Sequence, residues 1–89
     1  MLISPDEINK SLSTKGWSYK NNSITKTYNF DSFMNGIKFI NKVAHLAEAH
    51  NHHPNIKSNF CDVIIDINSH DMGGVTTKCV NLATAIDLI

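Results

Sequence analysis

The residues from Phe33 to Ile56, FMNGIKFINKVAHLAEAHNHHPNI, decide the fold, because they hold one long amphipathic pattern that ends at a proline. Phe33, Ile37, Ile40, Val43, Ala44 and Ala47 recur at i, i+3, i+4 spacing, which predicts a helix reaching His50 as the main core element. Asp31 or Ser32 can cap its start. Gly36 costs such a helix about 1 kcal/mol relative to alanine, so a close contact across that face is expected. Asn51 suits the left-handed turn that ends a helix, and Pro54 prevents its continuation. The histidines between Glu48 and Pro54 therefore straddle a helix C-terminus.

After that helix, Ile56 to Phe60 reads as a short strand and Asp62 to Asn68 as a stronger one, with Val63, Ile65 and Ile67 on one face. Ser69 to Val75 carries paired glycines and reads as a loop. Thr76 or Thr77 then caps a last helix in which Val80, Ala83 and Ile86 share a side. Before the long helix, Trp17 to Phe30 alternates about a polar turn at Asn21–Asn22–Ser23 and predicts a β-hairpin. Upstream again, Ser4, Pro5, Asp6 and Glu7 form a helix start, Ile8 and Leu12 share a face, and Gly16 stops the helix. The order is α-β-β-α-β-β-α. This predicts an α+β fold with a four-stranded antiparallel sheet and three helices packed on one face. The other sheet face is left to water or a second subunit.

The chain has 89 residues, which suits one domain over 1–89. Its 42% apolar and 18% charged residues suit folding rather than disorder. Eight basic and eight acidic residues cancel, and no basic stripe exists to neutralise consecutive phosphates, so nucleic acid is not expected as a partner. Cys61 and Cys79 lack the spacing of a zinc ribbon or a disulfide framework, which fits a reducing compartment. The N-terminal residues do not resemble a signal or transit peptide, and no segment approaches the roughly 20 apolar residues of a membrane span. A cytoplasmic protein is expected.

Histidine exchanges protons near neutrality, and three of the five histidines are placed to share a site. His52 and His53 follow the helix end, and His70 lies where the last strand enters the glycine loop. In one sheet those two loops can meet at the same edge. Glu48, four residues before His52, is expected to hold that imidazole and fix its tautomer. His45 and His50 fall on other helix faces and read as surface or helix-end residues. Metal binding competes, with His70, Asp71 or Cys79 completing the set, but adjacent histidines diverge on an extended segment and HExxH is absent, so no metal is expected. Gly73 and Gly74 would let a flat ligand or a backbone amide approach closely.

Together these motifs resemble the pterin-4a-carbinolamine dehydratase family over nearly the whole chain. Glu7, Ile8, Leu12, Gly16 and Trp17 fit its N-terminal pattern, and Ile24–Phe30, Phe33–Ile40 and Val43–Glu48 fit its middle. The most specific part is ExxxHHP, a hairpin, then [ST]HxxGG: Glu48, His52, His53, Pro54, Ser69, His70, Gly73 and Gly74. The resemblance implies dehydration of 4a-hydroxytetrahydropterin to quinonoid dihydropterin, in tetrahydrobiopterin recycling, without metal or organic cofactor. It implies His52, His53 and His70 as catalytic residues, with His52 and His70 moving protons and Glu48 in support. His53, Pro54, Ser69, Gly73 and Gly74 would bind substrate. It also implies a homodimer or homotetramer, and a protein partner in the alternative role of a non-catalytic, coactivator-like binding module. Three positions depart from the pattern: Ile56 replaces an aromatic residue, Ser58 an asparagine, and Cys79 an acid early in the last helix.

Overall fold

In the computed structural model, which describes residues 2–89, Ser4 accepts a hydrogen bond from the Glu7 amide at 3.3 Å and opens α1 (Pro5–Leu12). A 3₁₀ turn (Ser13–Lys15) follows and ends at left-handed Gly16, φ 89°. Strands β1 (Ser18–Lys20) and β2 (Ser23–Asn29) pair through a two-residue turn. Asn21 and Asn22 both have positive φ there (52° and 62°), the pairing that matches the twist of a tight hairpin.

Helix α2 (Phe33–His50) has the boundaries its caps predict: the Ser32 hydroxyl accepts from the Asn35 amide at 3.1 Å, and Asn51 ends it at φ 50°. Its buried face is Gly36, Phe39, Val43 and Ala47, whereas Phe33 and Ala44, expected in the core, are exposed. The stripe is rotated because α2 docks where Gly36 meets β4. An added Cβ at Gly36 would sit 3.4 Å from Val63 Cγ2 and 3.7 Å from Phe30, so the expected close contact leaves room for a methyl group.

Strands β3 (Asn55–Asn59) and β4 (Asp62–Ile67) form the second hairpin, and the sheet order is β1-β2-β4-β3, antiparallel throughout. Along β4, buried Val63, Ile65 and Ile67 alternate with less buried Asp62, Ile64 and Asp66, as one helix-covered face requires. Every residue of the edge strand β3 is exposed. Helix α3 (Thr77–Asp87) buries Cys79, Leu82, Ala83 and Ile86 against this face, with Ile8 and Leu12 of α1 in the same core. No helix among the described residues is long and apolar enough to cross a membrane.

The end of α3 is tied to the first hairpin through one carboxylate. Asp87 accepts from Trp17 Nε1 at 2.8 Å, Lys26 Nζ at 2.7 Å and the Tyr28 hydroxyl at 2.5 Å. The Lys26 ammonium also lies over the Tyr28 ring, 4.8 Å from its centroid.

Candidate active site

Two loops build the site, and each is locked by its own backbone. At the end of α2 the Asn51 amide bonds Glu48 O (3.2 Å) and the His52 amide bonds Ala47 O (3.0 Å), a Schellman closure that fixes His52 against the helix. After β4, the Ser69 carbonyl receives the amides of Met72 (3.0 Å), Gly73 (2.9 Å) and Gly74 (3.4 Å), while the Ser69 amide bonds Gly74 O at 2.8 Å. Gly73 takes φ 72°, which the closure requires, and the space beside it is open. The position of a Cβ on Gly74 would lie 3.1 Å from Leu2, so this glycine admits the N-terminal segment.

The loops face one another across a cavity of about 430 Å³, lined by Asn51 and His52 on one side and Ser69, Asp71, Thr76 and Lys78 on the other. A second cleft, of about 220 Å³, is lined by His70, Gly73, Gly74, Asn68 and the Asn21–Asn22 turn, and shares Ser69 with the first. His52 and His70 thus flank neighbouring clefts on either side of Ser69. Ser69 is itself buried, its hydroxyl 2.8 Å from Thr76 Oγ1. His53 is mostly exposed, its side chain 60% accessible. Ile56 and Ser58 lie on β3 and line neither cleft.

The hydrogen-bond partners differ from those expected. Glu48 pairs with His53 Nε2, not with His52. The i, i+4 rule holds only inside a helix, and left-handed Asn51 advances the chain so that the second histidine returns over Glu48. His52 Nε2 instead lies 3.2 Å from Cys79 Sγ, a fully buried sulfur in the first turn of α3. Burial holds His52 below the ordinary imidazole pKa, aided by the Lys78 charge and by His53 and His50, against the opposing pull of Asp71. The neutral ring is therefore favoured.

Sequence reasoning missed Cys79 as the partner of His52, and Asp71 and Lys78 as charged walls. A signal existed for the direction of the Cys79 side chain, though not for its contact with His52. Thr76 caps α3, and the third helical residue of a capping box returns its side chain to the cap amide; here Thr76 N donates to Cys79 Sγ at 3.4 Å. Among the described residues, no three His, Cys, Asp or Glu side chains gather closely enough to hold a metal ion.

Residues 1–89 match the family model described as pterin 4 alpha carbinolamine dehydratase. A protein of Sulfurisphaera tokodaii named "Putative pterin-4-alpha-carbinolamine dehydratase" is 43% identical over 82 residues, covering 92% of this chain and 85% of its own. A protein of the same name from Prochlorococcus marinus strain AS9601 is 36% identical over 89 residues, covering 99% and 93%. Among solved structures, a transcriptional coactivator/pterin dehydratase from Brucella melitensis superposes with a TM-score of 0.91 at 24% identity, covering 99% of this chain and 97% of that one. A pterin dehydratase-like protein identified as a RuBisCO assembly factor in the alpha-carboxysome gives 0.66 at 22% identity, covering 81% and 83%. At those identities the two structures speak for the fold.

Proposed function

Because the chain belongs to the pterin 4 alpha carbinolamine dehydratase family, we propose that it dehydrates a 4a-hydroxytetrahydropterin to the quinonoid dihydropterin and water, in tetrahydrobiopterin recycling. The C4a–O bond breaks, the oxygen ends as water, and a ring N–H gives up its proton. Such a reaction needs one group at the departing oxygen and another at the ring nitrogen. His52 and His70 are assigned to these two places, and His53, held by Glu48, positions the substrate. Pro54, Ser69, Gly73 and Gly74 complete the binding surface. The acid and the base are both side chains, so the assignment invokes no metal or organic cofactor. The protein acts in the cytoplasm as a homodimer or homotetramer.

The observation that carries this assignment is the pair of clefts joined at Ser69, with a histidine in each. Single-turnover kinetics on the His52→Ala and His70→Ala variants test it. Each is expected to lose about 10²-fold or more in rate while keeping its circular dichroism spectrum, the range general acid–base groups contribute. Wild-type rates in both folded variants would overturn the assignment.

A protein-binding role remains the second reading, favoured by two exposed apolar areas along α2. Phe33 and Met34 are 46% and 61% exposed at the start of α2, and Leu46, Ala85, Leu88 and Ile89 line an apolar groove of about 520 Å³. That role predicts a complex with a partner protein that survives both histidine substitutions.

A further inference from the structure

Cys79 occupies a position where a carboxylate is the usual residue of the pattern described above, and its chemistry differs in one respect that matters to His52. An ionised carboxylate only accepts hydrogen bonds, whereas a thiol has one hydrogen to give and a sulfur that accepts weakly. The surroundings of the sulfur decide which it does. The Thr76 backbone amide donates to Sγ at 3.4 Å, so that contact takes an acceptor site. The Ser69 and Thr76 hydroxyls lie 3.4 and 3.6 Å from Sγ and 2.8 Å from each other, so one hydroxyl hydrogen bridges the pair and the other is free to point at sulfur. The thiol hydrogen is then left for His52 Nε2, 3.2 Å away and the most basic atom in contact with it.

We infer that Cys79 is a positioning residue that fixes the tautomer of His52, its S–H donating to Nε2 so that the ring proton sits on Nδ1. Nδ1 has no side-chain partner among the described residues, and His52 lines the larger cavity, so a ligand that reaches Nδ1 there would meet an N–H donor and not a lone pair. The other charged or titratable groups around the ring are Asp71 from the loop, Lys78 on α3, and His50 and His53 on its own segment. None of them donates to or accepts from His52 by a direct hydrogen bond among the described residues. The sulfur alone sets the tautomer.

Combined with the dehydratase assignment, on which this step rests, the tautomer divides the roles. His52 supports the departing oxygen by hydrogen bonding as it leaves as hydroxide. His70 takes the ring N–H proton, which combines with that hydroxide to give water. A carboxylate at position 79 would reverse the ring, placing the proton on Nε2 and turning the lone pair of Nδ1 outward.

The test is ¹⁵N NMR of the imidazole nitrogens in uniformly labelled protein at a pH where His52 is neutral. The expected wild-type pattern is a pyridine-type signal at Nε2 and a pyrrole-type signal at Nδ1. Cys79→Ser keeps a donor and should preserve this pattern. Cys79→Asp should exchange the two signals and move the His52 titration upward by about one pH unit or more, as an adjacent opposite charge does. A pyrrole-type Nε2 in the wild-type protein, or a tautomer unchanged in folded Cys79→Asp, overturns the inference. The wild-type spectrum requires no variant to fold and no turnover, so it fails or holds independently of the dehydratase reaction.

Discussion

A histidine kept neutral by its surroundings leaves a signature in pH. His52 is held below its ordinary value of 6.5, chiefly by burial, so on acidification the unfolded chain takes up this proton before the native state does. The neutral site therefore contributes its full stability above 6.5, and this contribution falls as pH drops through the native pKa. His52→Gln should flatten that part of the pH–stability curve, which urea denaturation between pH 7 and 5 measures directly. Retention of the full slope in the variant would show that another group carries it. Gly36 makes a different residue-scale prediction. Its added methyl group meets only ordinary contacts, the nearest at 3.4 Å, and α2 gains helix propensity, so Gly36→Ala should stabilise by about 0.5–1 kcal/mol. A lowered midpoint in thermal unfolding would mean that Val63 cannot give way. Of these residues, His52 was legible as a site candidate from HHP taken together with Glu48 and His70. Its partner was not, because Cys79 lies 27 residues further along the chain and no local spacing rule reaches it.

Between elements, the Asp87 junction fastens α3 to the first hairpin. Burial alone raises the Asp87 carboxyl, but hydrogen bonds from Lys26, Tyr28 and Trp17, with the Lys26 charge, together hold it below 3.8. Burial and the same carboxylate raise Tyr28 above 10.0. The signs are opposite. The contribution of Asp87 is present above 3.8 and lost as pH falls through its native value; that of Tyr28 is present below 10.0 and lost as pH rises beyond it. Asp87→Asn should cost about 2–4 kcal/mol at neutral pH, since it leaves a part-buried ammonium without its counter-charge. A loss under 0.5 kcal/mol in urea titration, a variation common at surface positions, would assign the junction no structural weight. Element boundaries were legible wherever a side chain caps or a left-handed residue stops the chain, as at Ser32 and Asn51. The burial faces were less so. The apolar spacing of α2 admits two adjacent stripes, and only docking on β4 selects Gly36, Phe39, Val43 and Ala47 over the one that includes Phe33 and Ala44.

On the scale of the whole molecule, the sheet gathers what the sequence separates. Antiparallel order β1-β2-β4-β3 brings the α2–β3 loop and the β4–α3 loop to one shared cleft, as the expected meeting of the two loops at one edge allows, while the second cleft lies between the β4–α3 loop and the β1–β2 turn. The meeting of the two loops follows from element order. The division of the space into two clefts about Ser69 does not, because it depends on how residues 69–74 fold upon the Ser69 carbonyl. The Glu48–His53 pairing escaped for a related reason: a left-handed residue at the helix end shifts the register by which sequence spacing is converted into proximity. The most direct measurement is stopped-flow absorbance on freshly generated 4a-hydroxytetrahydropterin, with the spontaneous dehydration recorded alongside. A dehydratase predicts quinonoid dihydropterin formed at least about 10²-fold faster than the spontaneous reaction, at a rate proportional to protein concentration; a decay indistinguishable from the spontaneous one at stoichiometric protein would contradict it.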